Sequence, residues 1–116
     1  FIFPEAWATY RDFIPENERG DFLQAYHKRL TGADEKLKLE AARRWSQWEM
    51  TTSFLISKAS AVEEMEDPKR ALPFARIEAH YFMNNAFFST DDFLLENTER
   101  IRHIPTAIVQ GRYDIV

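Results

Sequence analysis

Hydrophobic residues recur every three or four positions in the first part of the chain, and this spacing places them on one face of a helix. The first such run follows Pro4, which suits the first turn of a helix, and stops before Pro15. We therefore predict a short helix from Pro4 to about Ile14. A second run begins after Asp21, a residue that caps helix N-termini, and ends at Gly32, so it predicts a second helix.

The longest periodic stretch predicts a third helix, from Asp34 to Ile56. Its apolar face consists of Ala41, Trp45, Trp48, Thr52 and Leu55. Glu40 lies among cations on this helix, with a lysine four residues before it and arginines three and four residues after it. Glu49 has no lysine or arginine at those spacings. Two glutamates in different surroundings therefore share one helix.

A second glutamate without a local cation, Glu78, lies in the stretch FARIEAHYFMNNAFF at residues 74–88. On a helix, its neighbours one turn away include three aromatic residues: Phe74, Tyr81 and Phe82. A carboxylate in such surroundings is costly to bury unless positive charge or hydrogen bonds compensate. One hypothesis is that a ligand supplies the missing charge. The alternative is a structural acid bonded to backbone donors or to an arginine distant in sequence.

The segments around Glu78 are predicted from their start and stop signals. Residues 57–69 are polar and are interpreted as a flexible connection, after which Pro73 opens the helix that carries Glu78. The asparagine pair at 84–85 ends that helix. Residues 89–92, Ser-Thr-Asp-Asp, are typical of a helix start and predict one further helix.

The pattern changes from helix to strand near the end of the sequence. Residues 107–109, Ala-Ile-Val, follow a proline and form a short apolar run, which predicts a β-strand. In parallel sheets, functional side chains lie just past the carboxyl end of a strand, and Asp114 occupies that place. An aspartate after a strand is also a common turn former.

Composition narrows the class of protein. With 116 residues, 45% of them hydrophobic and three of them glycine, the chain fits one mostly helical domain. A net charge of -4 without a basic run argues against a nucleic-acid partner. The absence of cysteine fits a reducing compartment, so we expect a cytoplasmic location. No apolar stretch approaches the roughly 20 residues of a membrane helix, so no membrane partner is expected.

Five segments carry a resemblance to a known family. In chain order they are FPEAW (3–7), IPENERGD (14–21), WSQWEMTTS (45–53), FARIEAHYF (74–82) and IPTAIVQGRYDIV (104–116). Together they resemble prolyl aminopeptidases, also called proline iminopeptidases, which are serine peptidases of the α/β-hydrolase fold. Five segments in the right order are a much stronger signal than any one of them.

The resemblance implies a mostly α fold: the helical lid, or cap, of an α/β hydrolase plus one C-terminal β-strand of its catalytic sheet. Residues 1–90 would form the lid, and residues 91–116 the return helix and strand of the catalytic domain. Asp114 resembles the acid of a Ser-Asp-His triad. Glu49 and Glu78 resemble the lid glutamates that bind the amino group of a peptide substrate with a free N-terminal proline. No metal or cofactor is implied.

The resemblance covers only part of such an enzyme. The sequence begins with Phe1 rather than methionine, so we interpret it as a piece of a longer polypeptide. The family's nucleophile turn, Gly-x-Ser-x-Gly, would lie before it, and the triad histidine would lie after Val116. Three histidines are present but match no catalytic position: His27, His80 and His103. We expect this piece alone to be inactive and to self-associate through its unpaired strand.

Two other interpretations stay open. The first is the lid of another α/β hydrolase, such as an esterase or an epoxide hydrolase, in which the lid pocket would be apolar and unpaired acids would be unnecessary. The second is a non-enzymatic helical interaction module whose aromatic faces form a groove for a partner. Dependence of hydrolysis on a free amino terminus would favour the peptidase.

Overall fold

Helices dominate the computed structural model, which describes residues 2–53 and 63–112. The α-helices of the described ranges are α1 (Pro4–Asp12), α2 (Phe22–Thr31), α3 (Glu35–Thr52), α4 (Pro68–Met83) and α5 (Phe93–Glu96). Single 3-10 turns lie at Glu16–Glu18, Asn85–Phe87 and Thr98–Arg100. The mostly helical character predicted from the sequence is confirmed, and the described ranges contain no β-strand.

The predicted caps of α2 and α3 are present. Asp21 accepts a hydrogen bond from the backbone N–H of Gln24 at 2.9 Å, and Asp34 accepts one from the N–H of Leu37 at 3.0 Å. Each bond satisfies a donor that the first turn of a helix leaves without an intrahelical acceptor. The predicted end of α3 at Ile56 is wrong, because the helix ends at Thr52 with Ser53 as its C-cap.

The predicted start of α4 at Pro73 is wrong. The helix begins five residues earlier at Pro68, where the side chain of Asp67 accepts a hydrogen bond from the N–H of Lys69 at 2.9 Å. A capping aspartate followed by proline in the first turn is a stronger start signal than proline alone. Pro73 lies inside the helix, and Asn84 caps its C-terminus as predicted.

The core lies where α2, α3 and α4 pack against one another, with α1 packed against α3. Three alanines spaced one turn apart, Ala71, Ala75 and Ala79, are buried along one face of α4. Their small side chains let the helix approach its neighbours closely. Tyr26 is fully buried, stacks on the ring of Tyr10 at 4.3 Å, and donates a 2.8 Å hydrogen bond to the Tyr10 carbonyl. This bond satisfies the buried hydroxyl.

The region after α4 is more exposed than the bundle. Asn85, Ala86 and Phe87 all have positive φ angles, of 48°, 52° and 63°, which is rare for residues other than glycine. The strand predicted at 107–109 is not formed, and the side chains of Ile108 and Val109 are 86% and 97% exposed. A strand needs a neighbour that pairs with its backbone groups, and the described residues provide none.

Within the described ranges, every helix is too short or too polar to cross a membrane.

Candidate functional site

The carboxylate of Glu78 on α4 is held by a residue of α3. Its Oε2 atom accepts a hydrogen bond from the indole Nε1–H of Trp45 at 2.8 Å. The two residues are 33 positions apart in sequence, so the bond exists only because α3 packs against α4. Trp45 is 4% exposed, which fixes the donor within the core.

Aromatic rings pack against the donor, Trp45, although not all of them are the predicted neighbours of Glu78. The ring of Trp45 lies 5.6 Å from that of Tyr26 and 6.1 Å from that of Phe82. Phe82 was predicted as a neighbour of Glu78. Tyr81, also predicted, is half exposed and contacts the ring of Phe87 edge-on. The wall beside Glu78 is therefore built by α3 as well as by α4.

Glu49 lies one turn beyond Trp45 on α3 and is half-buried. The pKa of this carboxyl is raised from 4.5 to about 7. Burial is the larger cause, and the charge of Glu78 is the smaller one. Burial also raises the pKa of Glu78, while the bond from Trp45 acts in the opposite direction. The structure thus brings together the two glutamates that sequence spacing singled out.

Neither glutamate is neutralised by a described residue. No lysine or arginine within residues 2–53 and 63–112 forms an ion pair with Glu49 or Glu78. Glu40, on the same helix, shows the contrast: its Oε1 lies 2.6 Å from Arg43 Nη2 and 2.6 Å from Arg44 Nε. Two like charges that are partly removed from water favour a bound cation, because a cation offsets both desolvation and mutual repulsion.

Tyr10 on α1 lies near Glu49, and its ring centroid is 6.2 Å from that of Trp45. Burial raises the pKa of its hydroxyl above the ordinary value, and the charge of Glu49 raises it in the same direction. The hydroxyl is therefore protonated across the physiological pH range. Sequence spacing did not place Tyr10 beside Glu49, because the two residues lie on different helices.

Sequence reasoning also missed the role of Trp45 as a donor to Glu78. The sequence assigned it to the apolar face of α3, where it does lie. One signal was available, since a buried tryptophan usually finds an acceptor for its N–H. The sequence does not reveal which acceptor is reached across two helices.

Other predicted features fall elsewhere. Asp114 lies outside the described residues, so its surroundings are not part of the site described here. The described residues contain no cluster of metal-ligating side chains. An apolar groove of about 460 Å³ lies between α2 and α4 and includes neither glutamate. It is lined by His27, Thr31, Leu72, Pro73, Arg76, Ile77, His80 and Tyr81.

Fold and site together define a helical unit that presents paired carboxylates beside aromatic rings, an arrangement suited to an organic cation. Among known proteins, the chain is similar to proline iminopeptidases. The chain is 54% identical to a proline iminopeptidase of Arabidopsis thaliana over 115 residues, which is 98% of this chain and 30% of that protein. It is 53% identical to a probable proline iminopeptidase of Leptolyngbya boryana, over 100% of this chain and 36% of that protein.

A proline iminopeptidase of Xanthomonas citri is 50% identical over 99% of this chain and 37% of its own length. No family model matches the chain. The chain spans about one third of the length of the curated relatives it matches. The resemblance to proline iminopeptidases that the sequence predicted is confirmed over the whole chain.

Proposed function

We propose that this chain is the cap segment of a serine peptidase that releases N-terminal proline from peptides. Residues 1–90 form the lid, and residues 91–116 return the chain to the catalytic α/β-hydrolase domain, which is the partner of this segment. Similarity along the whole chain to proline iminopeptidases supports the proposal, as does the helical fold.

One observation carries the proposal: Glu78 lies close enough to Glu49 to raise its pKa, both carboxyls are partly buried, and neither has a described cation as a partner. At neutral pH an N-terminal proline carries a protonated secondary amine beside a small apolar ring. The two carboxylates accept the N–H groups of the ammonium, and the aromatic side chains beside them contact the ring. Hydrogen bonds between charged groups are each worth about 1.5–3 kcal/mol.

The chemical step follows the serine-peptidase pattern. A serine of the catalytic domain attacks the carbonyl of the proline residue, and a histidine takes the serine proton and passes it to the leaving amine. Water then hydrolyses the acyl-enzyme. In this proposal Asp114 accepts a hydrogen bond from the histidine, holds the correct tautomer, and stabilises the imidazolium.

A chimeric enzyme tests the substrate class. The corresponding 115 residues of the Arabidopsis relative are replaced by this chain, and kcat/KM is measured on L-proline p-nitroanilide, its N-acetylated form, and p-nitrophenyl butyrate. We expect hydrolysis of the free-amine substrate and loss of at least about 100-fold on acetylation, because acetylation removes the ammonium. Equal rates on the two anilides, or ester hydrolysis alone, would instead support the lid of another hydrolase.

Glutamate variants of the chimeric enzyme test the site. Glu49→Gln and Glu78→Gln each remove one charge with little change in shape, and we expect each to lower kcat/KM for L-proline p-nitroanilide by about 10- to 100-fold. Glu35→Gln is the matched control, because Glu35 lies on the same helix with its side chain 72% exposed. Unchanged turnover in both site variants would remove these residues from the proposal.

A further inference from the structure

We propose that Trp45 is a positioning residue for substrate recognition, because its indole N–H fixes one oxygen of Glu78 and leaves the other oxygen for the substrate ammonium. The inference rests on the proposed function. It assigns a role to a residue that does not itself contact the substrate.

The geometry gives Glu78 one fixed and one available oxygen. Oε2 accepts the 2.8 Å bond from Trp45, whereas Oε1 has no hydrogen-bond or ion-pair partner among residues 2–53 and 63–112. A glutamate side chain has several rotatable bonds, so a single well-placed donor removes much of its freedom. A side chain that is already held in its binding conformation loses little conformational entropy when a ligand binds.

The donor itself is rigid. Trp45 is 4% exposed and its ring contacts Tyr10, Tyr26 and Phe82 at centroid distances of 6.2, 5.6 and 6.1 Å. Its position is therefore determined by the core of the bundle. Glu49 has no comparable side-chain donor among the described residues, so the two glutamates are held differently.

Electrostatics support the same assignment. A hydrogen bond from a neutral donor to a carboxylate favours the charged form. The bond from Trp45 acts on Glu78 against the effect of burial. The bond therefore opposes the rise in the pKa of Glu78 that burial causes, and it favours the charged form that an ammonium would bind.

Trp48 provides a matched control on the same helix. It packs against Trp7 and Tyr10 at centroid distances of 5.5 and 5.7 Å, and its indole N–H donates to no side chain or carbonyl within the described ranges. Trp45→Phe and Trp48→Phe remove the same atoms from neighbouring turns of α3. Only the first variant removes a hydrogen bond to a carboxylate.

The test compares these variants in the chimeric enzyme on L-proline p-nitroanilide and on p-nitrophenyl butyrate. We expect Trp45→Phe to lower kcat/KM for the anilide by about 10-fold or more, with a change below about twofold on the ester. We expect Trp48→Phe to change both substrates by similar small factors. In the double variant Trp45→Phe/Glu78→Gln, activity should equal that of Glu78→Gln alone, because both changes break one interaction.

Equal losses on both substrates, or additive losses in the double variant, would overturn the positioning role and leave Trp45 as a core residue only. A wild-type chimera without activity on the anilide would contradict the proposed function instead, so the two failures are distinguishable.

A second measurement does not require the Trp45 variant to fold. In the ¹⁵N-tryptophan spectrum of the chimera, the Trp45 Nε1–H proton should move upfield in Glu78→Leu, while the Trp48 resonance stays in place. An unmoved Trp45 resonance would contradict the bond on which the proposal stands.

Discussion

At the residue scale, helix α3 contains two glutamates in opposite electrostatic situations. The hydrogen bond from Arg43 lowers the pKa of Glu40, and Arg44 adds a second bond. Burial and, to a smaller extent, the charge of Glu78 together raise the pKa of Glu49 to about 7. A partly buried acid without a cation among the described residues lowers the stability of the fold at neutral pH, because burial disfavours its charged form.

This difference predicts how Glu49 affects stability. The folded-state pKa of about 7 lies above the ordinary 4.5, so the folded chain holds more protons between these values and the free energy of unfolding falls as pH rises through them. Glu49→Gln removes this dependence. The full shift corresponds to about 3 kcal/mol, and contact of the carboxyl with water reduces it, so we expect the variant to gain about 1–2 kcal/mol over the wild type from pH 4 to pH 8. Urea unfolding of both proteins at several pH values measures this difference in the free energy of unfolding.

Glu35→Gln is the control for that experiment, because the Glu35 side chain is 72% exposed and its ion pair is with Lys38, at 2.6 Å. An exposed pair contributes at most about 1 kcal/mol, so we expect the control to change the free energy of unfolding at pH 8 by less than Glu49→Gln does. A stability gain for Glu49→Gln that is the same at pH 4 and pH 8 would show that Glu49 does not titrate in the window given above.

What the sequence could predict at this scale is local. Glu49 and Glu78 were identified because the positions three and four residues away contain no cation. The Trp45 bond to Glu78 and the closeness of Tyr10 to Glu49 depend on how helices pack, which spacing along one helix does not specify.

At the element scale, helix ends with strong local signals were predicted correctly. Asp21 and Asp34 cap α2 and α3 because an aspartate before an apolar periodic run is recognisable in sequence. The start of α4 was missed because Asp67 and Pro68 lie in a polar segment that was interpreted as a flexible connection. A helix can therefore begin inside a polar segment when the residues there form an N-terminal cap.

The cap of α3 gives a prediction for the helix that carries both Trp45 and Glu49. Asp34→Ala removes the acceptor for the Leu37 N–H, and we expect a loss of about 1 kcal/mol in the free energy of unfolding. Asp34→Ser should recover most of it. Thermal unfolding of the variants at one low protein concentration measures the difference.

The matched control for the cap is Asp91→Ala. Asp91 is exposed outside the helices and has no hydrogen bond or ion pair to a described residue, so its loss should change stability by less than about 0.5 kcal/mol. Equal effects of the two alanine variants would show that the lost interaction is not the cap.

At the scale of the whole molecule, apolar surface is concentrated after the bundle. The exposed large hydrophobic side chains there are Phe87, Phe88, Leu94, Leu95, Ile101, Ile104, Ile108 and Val109. The sequence predicted a strand at 107–109 from its apolar run, but strand formation depends on pairing with segments that these residues do not supply. The local sequence therefore indicated that this segment can form a β-strand, but the described residues include no neighbouring strand with which it could pair.

This surface predicts that the isolated chain self-associates. Many exposed apolar side chains in one segment favour association, because association removes their apolar surface from water. Sedimentation velocity at micromolar concentrations should show oligomers, and Ile108→Lys with Val109→Lys should reduce them. A sharply monomeric profile with a cooperative melt in the unchanged chain would contradict this prediction.

The most direct test of the whole account is the pKa of Glu49 with and without a small secondary ammonium ion. Carboxyl ¹³C resonances of glutamate are titrated in the chimeric enzyme with sodium chloride, pyrrolidine hydrochloride or uncharged N-acetylpyrrolidine. We predict a pKa near 7 in sodium chloride and with the uncharged analogue, and a decrease of about one unit or more with pyrrolidinium. A pKa near 4.5 without ligand, or no response to pyrrolidinium, would contradict the proposed ammonium site.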